Sequence, residues 1–101
     1  MDEKLIKQLR RVGVTTFIKY YDVFKQNRDS DTNEDIFAAF DAEKEKWNTN
    51  SYKTKASVGK IIFRDNQHIE VLQYIIENVK RIDQTTLEEA KRIYNTETLN
   101  L

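Results

Sequence analysis

Residues 51 to 64, from Ser51 through Lys53, Lys55, Ser57, Gly59 and Lys60 to Arg64, set four basic side chains and small hydroxyls into a segment with no acid before Asp65. Wound as a helix at about 100° per residue, Lys53, Lys60 and Arg64 fall within about 40° of one another with Ser57 beside them, while Lys55 lies well away. That narrow cationic edge suits a phosphate backbone or an acidic protein, and a solvated strip on an ordinary bundle helix has the same composition. Tyr52, Ala56, Gly59 and Phe63 form a second stripe and Val58, Ile61 and Ile62 a third, so two faces call for burial. Gly59 costs a helix about 1 kcal/mol relative to alanine, which implies that a neighbouring helix or a ligand backbone comes close there.

Other chemistry is thin. The one histidine, His68, reads as a surface or capping residue beside Ile69, and the chain has no cysteine, so neither a thiolate nucleophile nor a cysteine-bearing zinc site can form. Asp29 to Asn33 starts like a calcium loop, but Glu34 stands where glycine is needed and Phe40 where a bidentate glutamate belongs. Asp41 and Glu45, one helical turn apart among lysines, read as an exposed ion-pair face. With no glycine-rich phosphate loop either, the expectation is a protein that is not an enzyme and carries no cofactor.

Proline is absent and the two glycines are Gly13 and Gly59, which removes the usual markers of hairpins and barrels and leaves an all-α reading. Leu5, Ile6, Leu9 and Val12 predict a first helix from Glu3 to about Val12, closed by Gly13. Phe17, Tyr21 and Phe24 give a central helix over 15–26. Thr32 then caps a helix to about Lys46 with Ile36, Phe37, Ala39 and Phe40 inward. After the turn Trp47 to Asn50, with Asn50 or Ser51 as cap, comes the basic helix to Arg64. Its 57–63 run, rich in β-branched residues, is also compatible with a strand. Ile69 to Ile82 covers so much of a helix circumference that 67–82 reads as largely enclosed. Thr85 and Thr86, each three residues ahead of a glutamate, signal the last helix. Trp47 either closes the core or anchors a partner.

This amounts to a single compact all-α domain of five to six short helices over residues 1–96, with a frayed tail at 97–101. Of 101 residues 39% are hydrophobic and 11% aromatic, enough for one core. The 17 Lys+Arg cancel the 17 Asp+Glu, so no global field draws the chain to nucleic acid or membrane and any electrostatic argument is local. Locally the sign alternates: +3 over residues 1–27, −4 over 28–50, +3 over 51–66 and −2 thereafter. The charged N-terminus lacks the pattern of a secretory signal and no apolar run is long enough to cross a bilayer, so a cytoplasmic protein without a membrane partner is expected.

The order of aromatic helix, capped helix Thr32 to Lys46, turn Trp47 to Asn50 and basic helix Ser51 to Arg64 resembles the tri-helical module of the helix-turn-helix DNA-binding superfamily. The likeness spans roughly residues 15–64 and is one of pattern: the first paired helix is long, and bulky Trp47 stands in the turn. What it implies is that the second paired helix enters the major groove with its first residues at base edges. Asn50, Ser51, Lys53, Thr54 and Ser57 would then face bases, and Lys55, Lys60 and Arg64 would meet phosphates. A small transcriptional or mobile-element regulator binding duplex DNA follows, expected as a homodimer through its last two helices because paired half-sites double the contacts. The alternative is a small protein-binding adaptor or inhibitor that uses the cationic edge or the acidic 29–45 surface. The two readings part on whether the acidic and basic surfaces face opposite ways.

Overall fold

The computed structural model describes residues 1–99, and every element among them is a helix: α1 Glu3–Val12, α2 Val14–Lys19, α3 Tyr21–Gln26, α4 Glu34–Ala42, α5 Thr49–Arg64, α6 His68–Asn78 and α7 Gln84–Leu99. The 57–63 run is therefore helix. Seven helices stand where five to six were expected because the 15–26 segment breaks at Tyr20, whose φ of −109° and ψ of 21° interrupt the helical path. The break lets adjacent tyrosines serve different neighbours: Tyr20 meets Phe40 and Trp47, while Tyr21 meets Phe17, Phe63 and His68.

Caps and ends follow the reading at α1 and depart from it in the later helices. Helix α1 begins on Asp2, whose carboxylate accepts from Leu5 N at 2.8 Å, and stops at Gly13, whose φ of +91° an L side chain rarely adopts. Helix α4 opens after Asn33 instead of Thr32 and ends at Ala42, four residues early, with Lys44 at φ +58° turning the chain. Asn48, not Asn50 or Ser51, caps α5, its Oδ1 accepting from Ser51 N at 2.8 Å. Asp83 takes the role given to Thr85 and Thr86, receiving both the N–H and the hydroxyl of Thr86 at 2.8 Å. Helix α6 stops at Asn78, ahead of the expected Ile82, and buries only Val71, Leu72 and Ile75. Of the tail expected over 97–101, Glu97–Leu99 are helical; 100 and 101 lie outside the described residues.

Phe17, Tyr21, Phe24, Phe40 and Phe63 are the largest enclosed side chains, joined by Leu5, Leu9, Val12, Ile36, Ile62, Leu72 and Ile75 in one core. Helix α5 runs through its centre. It packs on α1 through the Leu5, Leu9 and Val12 stripe, and on α3 at Gly59, where an added Cβ would lie 2.6 Å from the Phe24 ring. The close approach expected at Gly59 is thus made by an aromatic side chain. Helices α6 and α7 pair with each other and close the far side. Among the described residues no helix is long and apolar enough to cross a membrane.

Candidate nucleic-acid interface

The polar face of α5 divides into two halves with different surroundings. In the first two turns Thr49, Asn50, Lys53 and Thr54 are exposed, and no acidic residue occurs on the helix. These four occupy about 140° of the circumference, opposite the buried side, so the chain presents amide, hydroxyl and ammonium groups together to solvent. The turn that leads into them carries exposed Lys44 and Lys46. Of the acids in the same region, Glu45 is half-buried and accepts from Tyr20 OH at 2.6 Å and from Lys19, while Asp41 and Glu43 are exposed, Asp41 accepting from Tyr52 OH at 2.9 Å. Burial and the Glu45 carboxylate push the Tyr20 hydroxyl well above the usual phenol range, and burial with Asp41 raises that of Tyr52, so both remain donors.

Beyond Ala56 the same face is covered. Lys60 is only 7% exposed, and its ammonium donates to the Ser30 carbonyl at 3.0 Å and to the Thr32 carbonyl at 3.2 Å. Burial and then the nearby Arg64 charge lower its pKa, with Asp31 acting the other way. Arg64 is exposed but its Nε donates to the Arg28 carbonyl at 3.0 Å, and Ser57 accepts from Asn33 Nδ2 at 3.2 Å. Arg28 answers from the loop, its guanidinium donating to the Phe63 carbonyl and to Asn66 Oδ1. The loop Arg28 to Asn33 is thus sewn along the second half of the basic edge. The acidic segment and this part of the edge lie together and do not face opposite ways.

Lys55 turns to the other side. Its ammonium donates to the Val12 carbonyl at 2.7 Å, caps the end of α1 and lies 4.7 Å from the centre of the Trp47 ring. Burial lowers its pKa against an opposing pull from Glu45. Trp47 is half-buried, ringed by Tyr20, Phe40 and Tyr52. Of the eight residues singled out from sequence, Asn50, Lys53 and Thr54 share one open face; Ser51 and Ser57 are half-buried; Lys55, Lys60 and Arg64 bond to backbone carbonyls of other segments. Thr49 was missed because the cap was placed at Asn50 or Ser51, two or three residues late.

A second polar cluster fixes the C-terminal helix. Glu97 of α7 accepts from Lys25 at 2.7 Å and from Tyr21 OH at 2.8 Å, and His68 Nε2 lies 3.8 Å away. The imidazole stacks on Phe63 with centroids 4.7 Å apart, so His68 is a packed residue, not the surface or capping group expected, and Nδ1 is buried without a hydrogen-bond partner. Burial lowers the His68 pKa, opposed by Glu97 and aided by Arg28 and Lys25. Burial alone would raise the Glu97 carboxyl, but the bonds from Lys25 and Tyr21 outweigh it and hold the group below its ordinary value. No group of three or more metal-ligating side chains occurs among the described residues.

Comparison with family models, with curated proteins and with solved structures places the chain beside none of them. The functional reading rests on the geometry.

Proposed function

We propose that the protein binds duplex DNA non-enzymatically, laying the first two turns of α5 in the major groove as a small regulator. The observation that carries this reading is the exposed, acid-free face of Thr49, Asn50, Lys53 and Thr54, presented at the start of a helix whose other sides are packed. Asparagine and lysine of such a face match base edges by the usual donor and acceptor patterns, asparagine to adenine and lysine to guanine, and the threonine methyl suits thymine. The succession of α4, turn and α5 supports it, since in helix-turn-helix modules the second helix meets bases with its N-terminal residues. Lys44 and Lys46 supply charge for phosphates next to that end.

The acidic rim of Asp29, Asp31, Glu34 and Asp35, all exposed, stands by the covered half of the α5 face and repels a phosphate backbone. That the acidic and basic segments do not face opposite ways weighs toward the protein-partner alternative, and the DNA reading is confined to the N-terminal half of α5. A face this short covers few base pairs, so a specific site calls for two copies on paired half-sites. The test is binding of fluorescent duplex DNA at two salt concentrations. Salt-sensitive binding that Asn50→Ala and Lys53→Ala weaken supports the reading, and a gel shift at saturating protein counts copies per site. Absence of binding at low salt overturns it in favour of a protein partner.

A further inference from the structure

Four cations of α1, Lys4, Lys7, Arg10 and Arg11, are exposed, and the fold sorts them by side. The stripe Leu5, Leu9 and Val12 is buried against α5. Around the helix, Lys4, Gln8 and Arg11 line up on one flank of that stripe and Arg10 lies with half-buried Ile6 on the other. Lys4, Gln8 and Arg11 indeed border one open hollow of about 470 Å³, with Glu3 and Lys7 and without Arg10.

The direction of packing decides which flank matters. The last carbonyl of α1, on Val12, receives Lys55 from the second turn of α5, whereas Met1 borders a hollow with Glu70, Gln73 and Tyr74 of α6, the helix that follows the end of α5. The two helices therefore run in opposite directions. For two right-handed helices packed that way, the Lys4 and Arg11 flank lies on the same side as Asn50 and Thr54, and the Arg10 flank turns away from it.

Resting on the DNA reading above, we propose that Lys4 and Arg11 form a second phosphate contact of the same interface, gripping the backbone on the α1 side of the groove while Lys44 and Lys46 serve the α5 start. Arg10 takes no part. Only a duplex offers two backbones flanking one groove, so the arrangement selects double-stranded DNA and adds affinity without sequence preference.

The experiment compares the full chain with Lys4→Ala/Arg11→Ala and with a charge-matched control, Arg10→Ala/Lys80→Ala, on random-sequence duplex across a salt series. The expected result is a salt slope shallower by about two for the first variant, each lost phosphate contact removing about one, with affinity down about tenfold or more at low salt and the control near wild type. All four side chains are exposed, so helicity by circular dichroism stays unchanged. If wild type binds and Lys4→Ala/Arg11→Ala keeps its slope, or the control loses as much, the second contact is overturned and the α5 reading stands. If wild type does not bind, both fail together.

Discussion

Lys53 and Lys60 stand two turns apart on nearly the same line of α5, yet the first is exposed and the second buried under two carbonyls. The difference lies in what crosses the helix. On this face Lys53 and Thr54 of the first two turns are exposed, while the later turns carry the Arg28 to Asn33 loop, tied on by Lys60, Arg64 and Ser57. Equal charge and equal angle thus give one residue a solvent-facing role and the other a structural one. A cation near unpaired carbonyls is recruited to satisfy them, because a buried carbonyl without a donor costs more than an exposed ammonium gains.

The comparison breaks most visibly at Gly59, within the covered half. Gly59→Ala forces a methyl to within 2.6 Å of the enclosed Phe24 ring, which has no room to yield. Overpacking of this kind costs about 1–3 kcal/mol or more and exceeds the helix-propensity gain of about 1 kcal/mol, so chemical denaturation should show a clear loss of stability. An unchanged midpoint would mean that α3 and α5 are not in contact there. Next comes Lys60→Ala, which takes the ammonium from the Ser30 carbonyl and leaves the Thr32 carbonyl with the Ser30 hydroxyl alone, costs about 1 kcal/mol and lowers Tm by several degrees, while DNA binding by the folded variant stays close to wild type. Lys53→Ala should do the reverse: Tm holds, and duplex affinity falls about tenfold, the lower part of the 1–3 kcal/mol range for a base contact. If Lys60→Ala and Lys53→Ala behave alike in both assays, the division of the helix into halves is wrong.

The smallest effect concerns the Glu97 cluster, which the α5 face does not touch. His68 has its folded pKa below the unfolded value, so the unfolded chain takes up the proton first and stability falls as pH drops below about 6.5. Glu97, held low, contributes stability that is complete above the ordinary glutamate value and lost as pH falls through its folded one. His68→Gln should therefore flatten the dependence of Tm on pH between about 7 and 5 and leave the steeper decline below it. An unaltered profile would show that the imidazole does not titrate differently on folding.

The helical class, the run of α5 to Arg64 and the stop at Gly13 were legible because each is written locally, in spacing or in a residue the backbone demands. The narrow cationic edge was legible only as an angular alignment, since of its three cations Lys60 is buried and Arg64 is tied to the Arg28 carbonyl. What Lys60 touches was not, because Ser30 and Thr32 are 30 and 28 residues away and offer backbone carbonyls, which carry no mark in the sequence. The same holds for Lys55 with Val12 and for Glu97 with Tyr21, 76 residues apart. The break at Tyr20 escaped for a related reason: without proline or glycine to announce it, it is set by where two neighbouring rings must go. Cap positions slipped by one to three residues where polar residues cluster, as in Trp47 to Ser51, since several of them can accept the same N–H.

Trp47 gives the molecule an optical handle. As the chain's lone tryptophan it can be excited apart from the tyrosines, and its indole already senses a cation from Lys55 and lies at the joint between α4 and α5. Anything that docks on the start of α5 changes the field at that ring, so its emission reads occupancy of the interface in an unlabelled, unmutated chain.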